Sequence, residues 1–144
     1  MMSRDGVFGI LIGAAVGTLF LVPAQAEPQE LRPEDVAAIQ AGPVFTPMTV
    51  VPEILNRTEV QQALMRLYPP VLRDAGIGVT VEVWFYLSET GQVLHNRVSQ
   101  TSGNAELDAA ALRVAAVFRF TPALYKREGP VPVWIRLPIV FAVQ

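Results

Sequence analysis

The residue types that could do chemistry are few in this chain and stand apart from one another. His95 is the only histidine, and Ser99, Ser102 and Asp108 follow it within a short stretch. Together they are the types a hydrolase triad uses. No nucleophile elbow accompanies them, and a lone histidine on a strand is more often a surface or packing residue. Cysteine is absent, which excludes thiol redox chemistry, disulfides and cysteine nucleophiles. A single histidine without cysteine also leaves almost no set of zinc or haem ligands. The carboxylates occur singly, without the paired spacing of acid–base catalysis. Asp108 has the position of a residue that stabilises the start of its helix through the macrodipole. Asn56-Arg57-Thr58 has the form of a glycosylation sequon and nothing around it gives that form a use. The expectation is a chain that is not an enzyme and holds no metal or cofactor.

The composition agrees with a folded interaction module. Of 144 residues, 51% are hydrophobic and 17% charged, with 11 Lys+Arg against 13 Asp+Glu. There is no basic block to bind nucleic acid. Such a chain is one folded domain with a short appendage.

The appendage comes first. Residues 6–22 are small and apolar, preceded by Arg4 and followed by Pro23-Ala24-Gln25-Ala26. A positive start, an apolar middle and an Ala-x-Ala close are the parts of a secretory signal peptide, cleaved after Ala26. The competing reading is a retained anchor that would tie the chain to a membrane. Seventeen residues of helix reach only about 26 Å, short of a ~30 Å bilayer core. Residues 27–52 hold Pro28, Pro33, Pro43, Pro47 and Pro52, which favour extended chain. One short helix fits between Pro33 and Gly42, with Val36 and Ile39 on one side. From 27 to 56 there are five acids and one arginine, while 57–144 carries nine basic residues and seven acids. The acidic lead can therefore lie on the domain, which is taken as 53–144.

Within the domain, Thr58 and Gln61 have capping-box spacing, and Val60, Ala63, Leu64 and Leu67 form one helical stripe. Tyr68-Pro69-Pro70 breaks that helix, and a further turn runs from Pro70 to Gly76. Val79, Val81, Val83, Phe85 and Leu87 alternate with Thr80, Glu82, Trp84 and Tyr86, the pattern of a half-buried strand. Ser88 to Gly91 turns the chain into a second strand over 93–99. Asn104 opens a helix whose stripe is Leu107, Ala110, Ala111, Val114, Val117 and Phe118. A last strand puts Val131, Val133, Ile135, Leu137, Ile139, Phe141 and Val143 on one face. The helix between strands two and three makes them parallel, so an antiparallel sheet requires the order 2-1-3. Pro132 and Pro138 suit an edge, whereas strand one has neither Pro nor Gly. The fold class is α+β: a three-stranded antiparallel sheet of order 2-1-3 with two helices packed on one face.

Several short motifs then follow one another in order. They are Tyr68-Pro69, Gly78-Val79, Gly91-Gln92-Val93, Thr101-Ser102-Gly103 and Leu107-Asp108-Ala109-Ala110-Ala111-Leu112, then Phe120-Thr121-Pro122-Ala123, Gly129-Pro130-Val131-Pro132-Val133 and Leu137-Pro138-Ile139-Val140-Phe141. In this order and spacing the chain from about Pro52 to Phe141 resembles the C-terminal domain of the TonB energy-transducer family. The resemblance implies a periplasmic protein–protein interaction module that captures a segment of an outer-membrane receptor as an added strand. Family transducers are anchored in the inner membrane beside a proton-driven motor and reach outward through a proline-rich spacer. Here the apolar segment has no ionisable residue, and 26 residues of lead span at most about 80 Å. Of the family's Gln-Pro-x-Tyr-Pro, only Tyr68-Pro69 stands, after Met65-Arg66-Leu67. A secreted envelope scaffold without energy transduction is therefore the alternative function.

The expected partner site is the outer edge of the last strand, at Val133, Trp134, Ile135 and Arg136. The opposed reading is an edge that its two prolines protect from pairing. Tyr68 and Pro69 are a second candidate surface, set against simple packing of the tyrosine. Trp84, Tyr86 and Trp134 point away from the helices and form a candidate aromatic patch for a partner or a second copy in a homodimer. The alternative is that Val44, Phe45, Met48, Val50 and Val51 fold back over that patch.

Overall fold

The computed structural model describes residues 30–142. The signal-like segment, the first residues of the lead and Val143 lie outside the described residues. The elements are α1 (Pro33–Ala41), α2 (Arg57–Leu67), α3 (Pro70–Asp74), β1 (Val79–Leu87), β2 (Val93–Gln100), α4 (Ala105–Ala115), β3 (Ala123–Tyr125), β4 (Gly129–Val131) and β5 (Val133–Phe141). The main sheet is antiparallel and ordered β2-β1-β5, as the proline distribution requires.

Strand parity decides which side chains meet. On one face Val81, Val83, Phe85 and Leu87 lie opposite Ile139, Leu137, Ile135 and Val133 of β5. This face carries the core with α2 and α4. Ala110, Ala111 and Ala115 are buried, so α4 turns a small-residue stripe to the sheet. Phe85 packs on Phe118 and Phe120, with ring centroids 5.3 and 5.6 Å away. Asn104 caps α4 by accepting from the backbone N–H of Glu106 (2.9 Å) and Leu107 (3.2 Å).

Three local expectations change. The cap of α2 lies at Asn56, not Thr58, and its side chain is engaged elsewhere. Its amide donates to Val117 O (2.8 Å) and its carbonyl accepts from Arg119 N–H (2.9 Å), tying the helix start to the segment after α4. The helix that starts at Ala105 stops at Ala115, so Val117 and Phe118 reach the core from a turn. The final strand starts at Val133 because Pro132 interrupts it. Val131 belongs to a separate β3–β4 ribbon that the alternation alone had merged with β5.

The lead is part of the body. Residues 31–52 belong to the same compact unit as the sheet, whereas the sequence separates 27–52 from 53–144. Thr49 N–H donates to Leu124 O (2.7 Å), Leu124 N–H to Val50 O (3.2 Å), Thr121 N–H to Glu53 O (2.9 Å) and Leu55 N–H to Arg119 O (2.8 Å). The proline-spaced chain is thus stitched along 119–124 by backbone bonds that polar residues alone would not reveal.

Gly91 is where the hairpin, the segment after α4 and the core converge. Its φ is +85°, and a Cβ there would lie 2.0 Å from Phe120 O. Phe120 N–H in turn donates to Gly91 O (3.2 Å). Gly91→Ala should therefore lose about 3 kcal/mol or more, from left-handed strain and displacement of the Phe120 segment. Urea unfolding measures this; a loss below about 1 kcal/mol would show that the turn relaxes freely.

Candidate partner-binding edge and aromatic face

Parity places Thr80, Glu82, Trp84 and Tyr86 on the second face of β1, opposite Val140, Pro138, Arg136 and Trp134. The aromatic group does assemble. Trp134 lies 5.1 Å from Tyr86, 6.4 Å from Trp84 and 6.3 Å from His95, ring centroid to centroid. It is not open, however: Tyr86 and Trp134 are each 4% exposed, and Trp84 is half-buried.

The lead covers this face by means the sequence does not suggest. Phe45 is 90% exposed, and Val44, Val50 and Val51 are exposed too; only Met48 packs against the core. The cover is anchored by Asp35 of α1, the one buried residue of that helix, which accepts a hydrogen bond from Tyr86 Oη at 3.0 Å. Arg32 donates to the same carboxylate through Nε (3.0 Å) and its backbone N–H (3.2 Å), and through Nη1 to Glu89 at 2.6 Å. The hydrogen bonds from Arg32 hold the Asp35 carboxyl below its usual range, against the effect of burial. Burial and then the bond to Asp35 push the Tyr86 phenol up to about 12. Burial, with the nearby Arg97 charge, lowers His95.

The edge of β5 is outermost in the sheet. Trp134 N–H points away from β1 and donates to Thr46 Oγ1 at 3.2 Å. The β1–β5 register runs without a shift through nine pairs, so every even-numbered residue of β5 turns its amide outward with Trp134. Pro138 has no amide to offer, and Trp134 is taken. Arg136 and Val140 remain, both with exposed side chains. Arg136 stacks on Trp84 with its guanidinium 5.5 Å from the ring and approaches Glu82 at 3.7 Å. Beside Val140 lies a small recess of about 150 Å³ lined by Leu64, Met65, Tyr68 and Phe141.

The eight sequence-derived candidates therefore separate. Val133 is fully buried against the helices and Trp134 under the lead; Ile135 is half-buried in the core. Arg136 alone of the four stands on the accessible edge. Tyr68 is 5% exposed, packs edge-on against Phe141 at 5.2 Å and donates its hydroxyl to Ile77 O. Pro69, with Pro70, Ala105, Ala109 and Arg113, lines a surface groove of about 530 Å³. Trp84 is reachable and Tyr86 is not. The residues missed were Asp35, Thr46 and Val140; Asp35 stands in the first turn of the helix that Pro33 starts, a place that favours an exposed acid as much as a buried one.

The hydrolase triad does not assemble. His95 pairs with Tyr86 on the face away from α4, while Asp108 on α4 is spent on Thr101 and on Ser102, whose N–H and Oγ lie 2.9 and 2.7 Å away. Burial alone would raise Asp108, yet these bonds hold it below its usual range.

Asp35 gives the lead a signed pH dependence. A carboxyl depressed below 3.8 contributes stability that is complete above that value and is lost as pH falls through its folded-state value. Tyr86 has the opposite sense: its contribution is complete below pH 10 and lost as pH rises through about 12. Asp35→Ala should cost about 2–3 kcal/mol by orphaning the Tyr86 hydroxyl, and should red-shift tryptophan emission. Wild-type emission and stability in that variant would contradict the anchor.

No helix among the described residues is long and apolar enough to cross a membrane. Residues 66–143 match the family model described as Gram-negative bacterial TonB protein C-terminal. No curated protein and no solved structure matches the chain. The family match spans more than half of the chain and covers α3, both strands of the β1–β2 hairpin, α4 and β5, so the chain belongs to the TonB C-terminal family.

Proposed function

We propose that this chain captures an extended segment of a protein partner, an outer-membrane receptor, by adding it as a strand to the free edge of β5, in support of energy-coupled transport. Family membership makes the chain a TonB-like periplasmic interaction module. The finer reading rests on one observation: β5 is an unshifted nine-residue outer strand whose Arg136 and Val140 amides face outward. An outward amide without a partner strand is a template for main-chain pairing. β2, the other outer strand, is less suited, because its register on β1 shifts between Glu82 and Val83 and again between Tyr86 and Leu87. The Val140 recess gives the captured segment a place for one small apolar side chain.

A soluble envelope scaffold is the second reading, favoured by an apolar segment at 6–22 that has no ionisable residue and is closed by Ala24-Gln25-Ala26. The mass of the mature amino terminus separates the two: a chain starting at Glu27 has no anchor of its own, and a chain retaining 1–26 has one.

Val140→Pro tests the edge. It removes one outward donor from a strand that already holds Pro138 at the same parity, and Val140 is 50% exposed, so the fold should survive. A photoreactive residue at Arg136 should form an adduct with an outer-membrane receptor in cells, and Val140→Pro should reduce that adduct about fivefold. An undiminished adduct in the proline variant would mean that binding does not use the edge.

A further inference from the structure

The edge of β5 is already half occupied, and by this chain. Thr46 Oγ1 accepts the Trp134 N–H, so the lead holds the outward donor that a strand pairing along the whole edge would need first. Pro132 precedes this point and has no donor. The amino-terminal half of the edge is therefore closed by residues 44–48, and the carboxy-terminal half, from Arg136 onward, is open.

Little apolar burial keeps Thr46 in place, since Met48 alone of the apolar residues beside it packs against the core. Val44 and Phe45, immediately before it, are 58% and 90% exposed. Pro47 after it is exposed as well. On the amino-terminal side the restraint is the Asp35 carboxylate, held by Arg32 and Tyr86, with Glu89 bracing Arg32. On the carboxy-terminal side it is the Thr49–Leu124 backbone pairing. Between these two fixed points lies an extended stretch that is exposed at Val44, Phe45 and Pro47, holds one hydrogen bond to β5 at Thr46 and touches the core at Met48. Such a stretch is the least costly part of the body to lift.

We propose that residues 44–47 form a built-in competitor of the partner strand, confining it to 136–142 while Thr46 is seated and yielding the Trp134 amide when the stretch lifts. This rests on edge capture as the function. The partner that fits is an extended peptide with a short core match: two backbone carbonyls to meet Arg136 and Val140, and one small apolar side chain for the recess beside Val140. A longer strand gains a further bond only by displacing Thr46. Affinity then depends on the latch at Asp35, a residue that touches no partner.

The test uses the full chain, Thr46→Val and Asp35→Asn, with the tightest binder selected from a displayed library of random nonapeptides as the probe. In the free wild type, hydrogen exchange should find the Trp134 amide protected and those of Arg136 and Val140 fast; Thr46→Val should make Trp134 fast as well. Both variants should bind the peptide roughly five- to tenfold more tightly, with protection extending to Trp134 in the complex. Thr46→Val changes a half-buried surface residue and keeps the comparison valid if Asp35→Asn weakens the fold. Equal affinities in wild type and Thr46→Val, or weaker binding in the variant, would overturn the competitor while leaving edge capture intact. If no selected peptide protects the Arg136 and Val140 amides in any form, edge capture itself fails, and the competitor with it.

Discussion

The structure turns on the two-sided burial of β1. Val81, Val83, Phe85 and Leu87 are fully buried against the helices, and on the reverse Tyr86 is nearly as inaccessible because Asp35 reaches it from α1. A three-stranded sheet with helices on one side has an aromatic back that water would contact. Here a single buried carboxylate, itself satisfied by Arg32 and Tyr86, holds a helix there that buries no other residue of its own. A buried charge is tolerable only when its hydrogen bonds are complete. The lead is therefore docked through polar geometry, with α1 offering little apolar area in compensation.

That constraint orders what remains available for binding. With the back covered, Tyr86 and Trp134 become part of the interior, and the surface the proposed capture uses is the rim. The rim is defined by parity: odd residues of β5 bind β1, even residues face out, and proline removes donors from the outward set alone. Pro138 can therefore sit in this strand without weakening its pairing to β1. It also leaves the outward row sparse, so the proposed added strand would meet specific donors at Arg136 and Val140 in place of a continuous ladder. A sparse edge resists indiscriminate association while accepting a segment in the right register.

Much of the helix side was legible from alternation and turn chemistry. Val79 to Leu87 alternates without interruption, Gly91 marks the hairpin, and Pro132 and Pro138 send the last strand outward; these local signals all point the same way, and the sheet order follows. The lead was legible as an acidic, proline-spaced segment with one short helix between Pro33 and Gly42, which is α1. Its apolar residues suggested a hydrophobic cover for the aromatic face, but Phe45 and Val51 face solvent, while Asp35, a residue type usually exposed, is buried. Periodicity reports apolar faces and cannot report a carboxylate whose buried partner, Tyr86, lies 51 positions away. The same limit applies to the edge. Val133 and Trp134 belong to the right strand, yet Val133 faces the core and Trp134 lies against a lead whose path has no periodic signal.

Capture on the rim of β5 makes one demand on a complex with a partner segment: the bonds must run from the amides of Arg136 and Val140 to carbonyls of the other chain. Scalar couplings across those hydrogen bonds, measured by NMR on the labelled protein with its bound segment, report them directly. Couplings from both amides to partner carbonyls are the expected result. Their absence, with the segment seated instead in the groove beside Pro69 or along β2, would contradict the account.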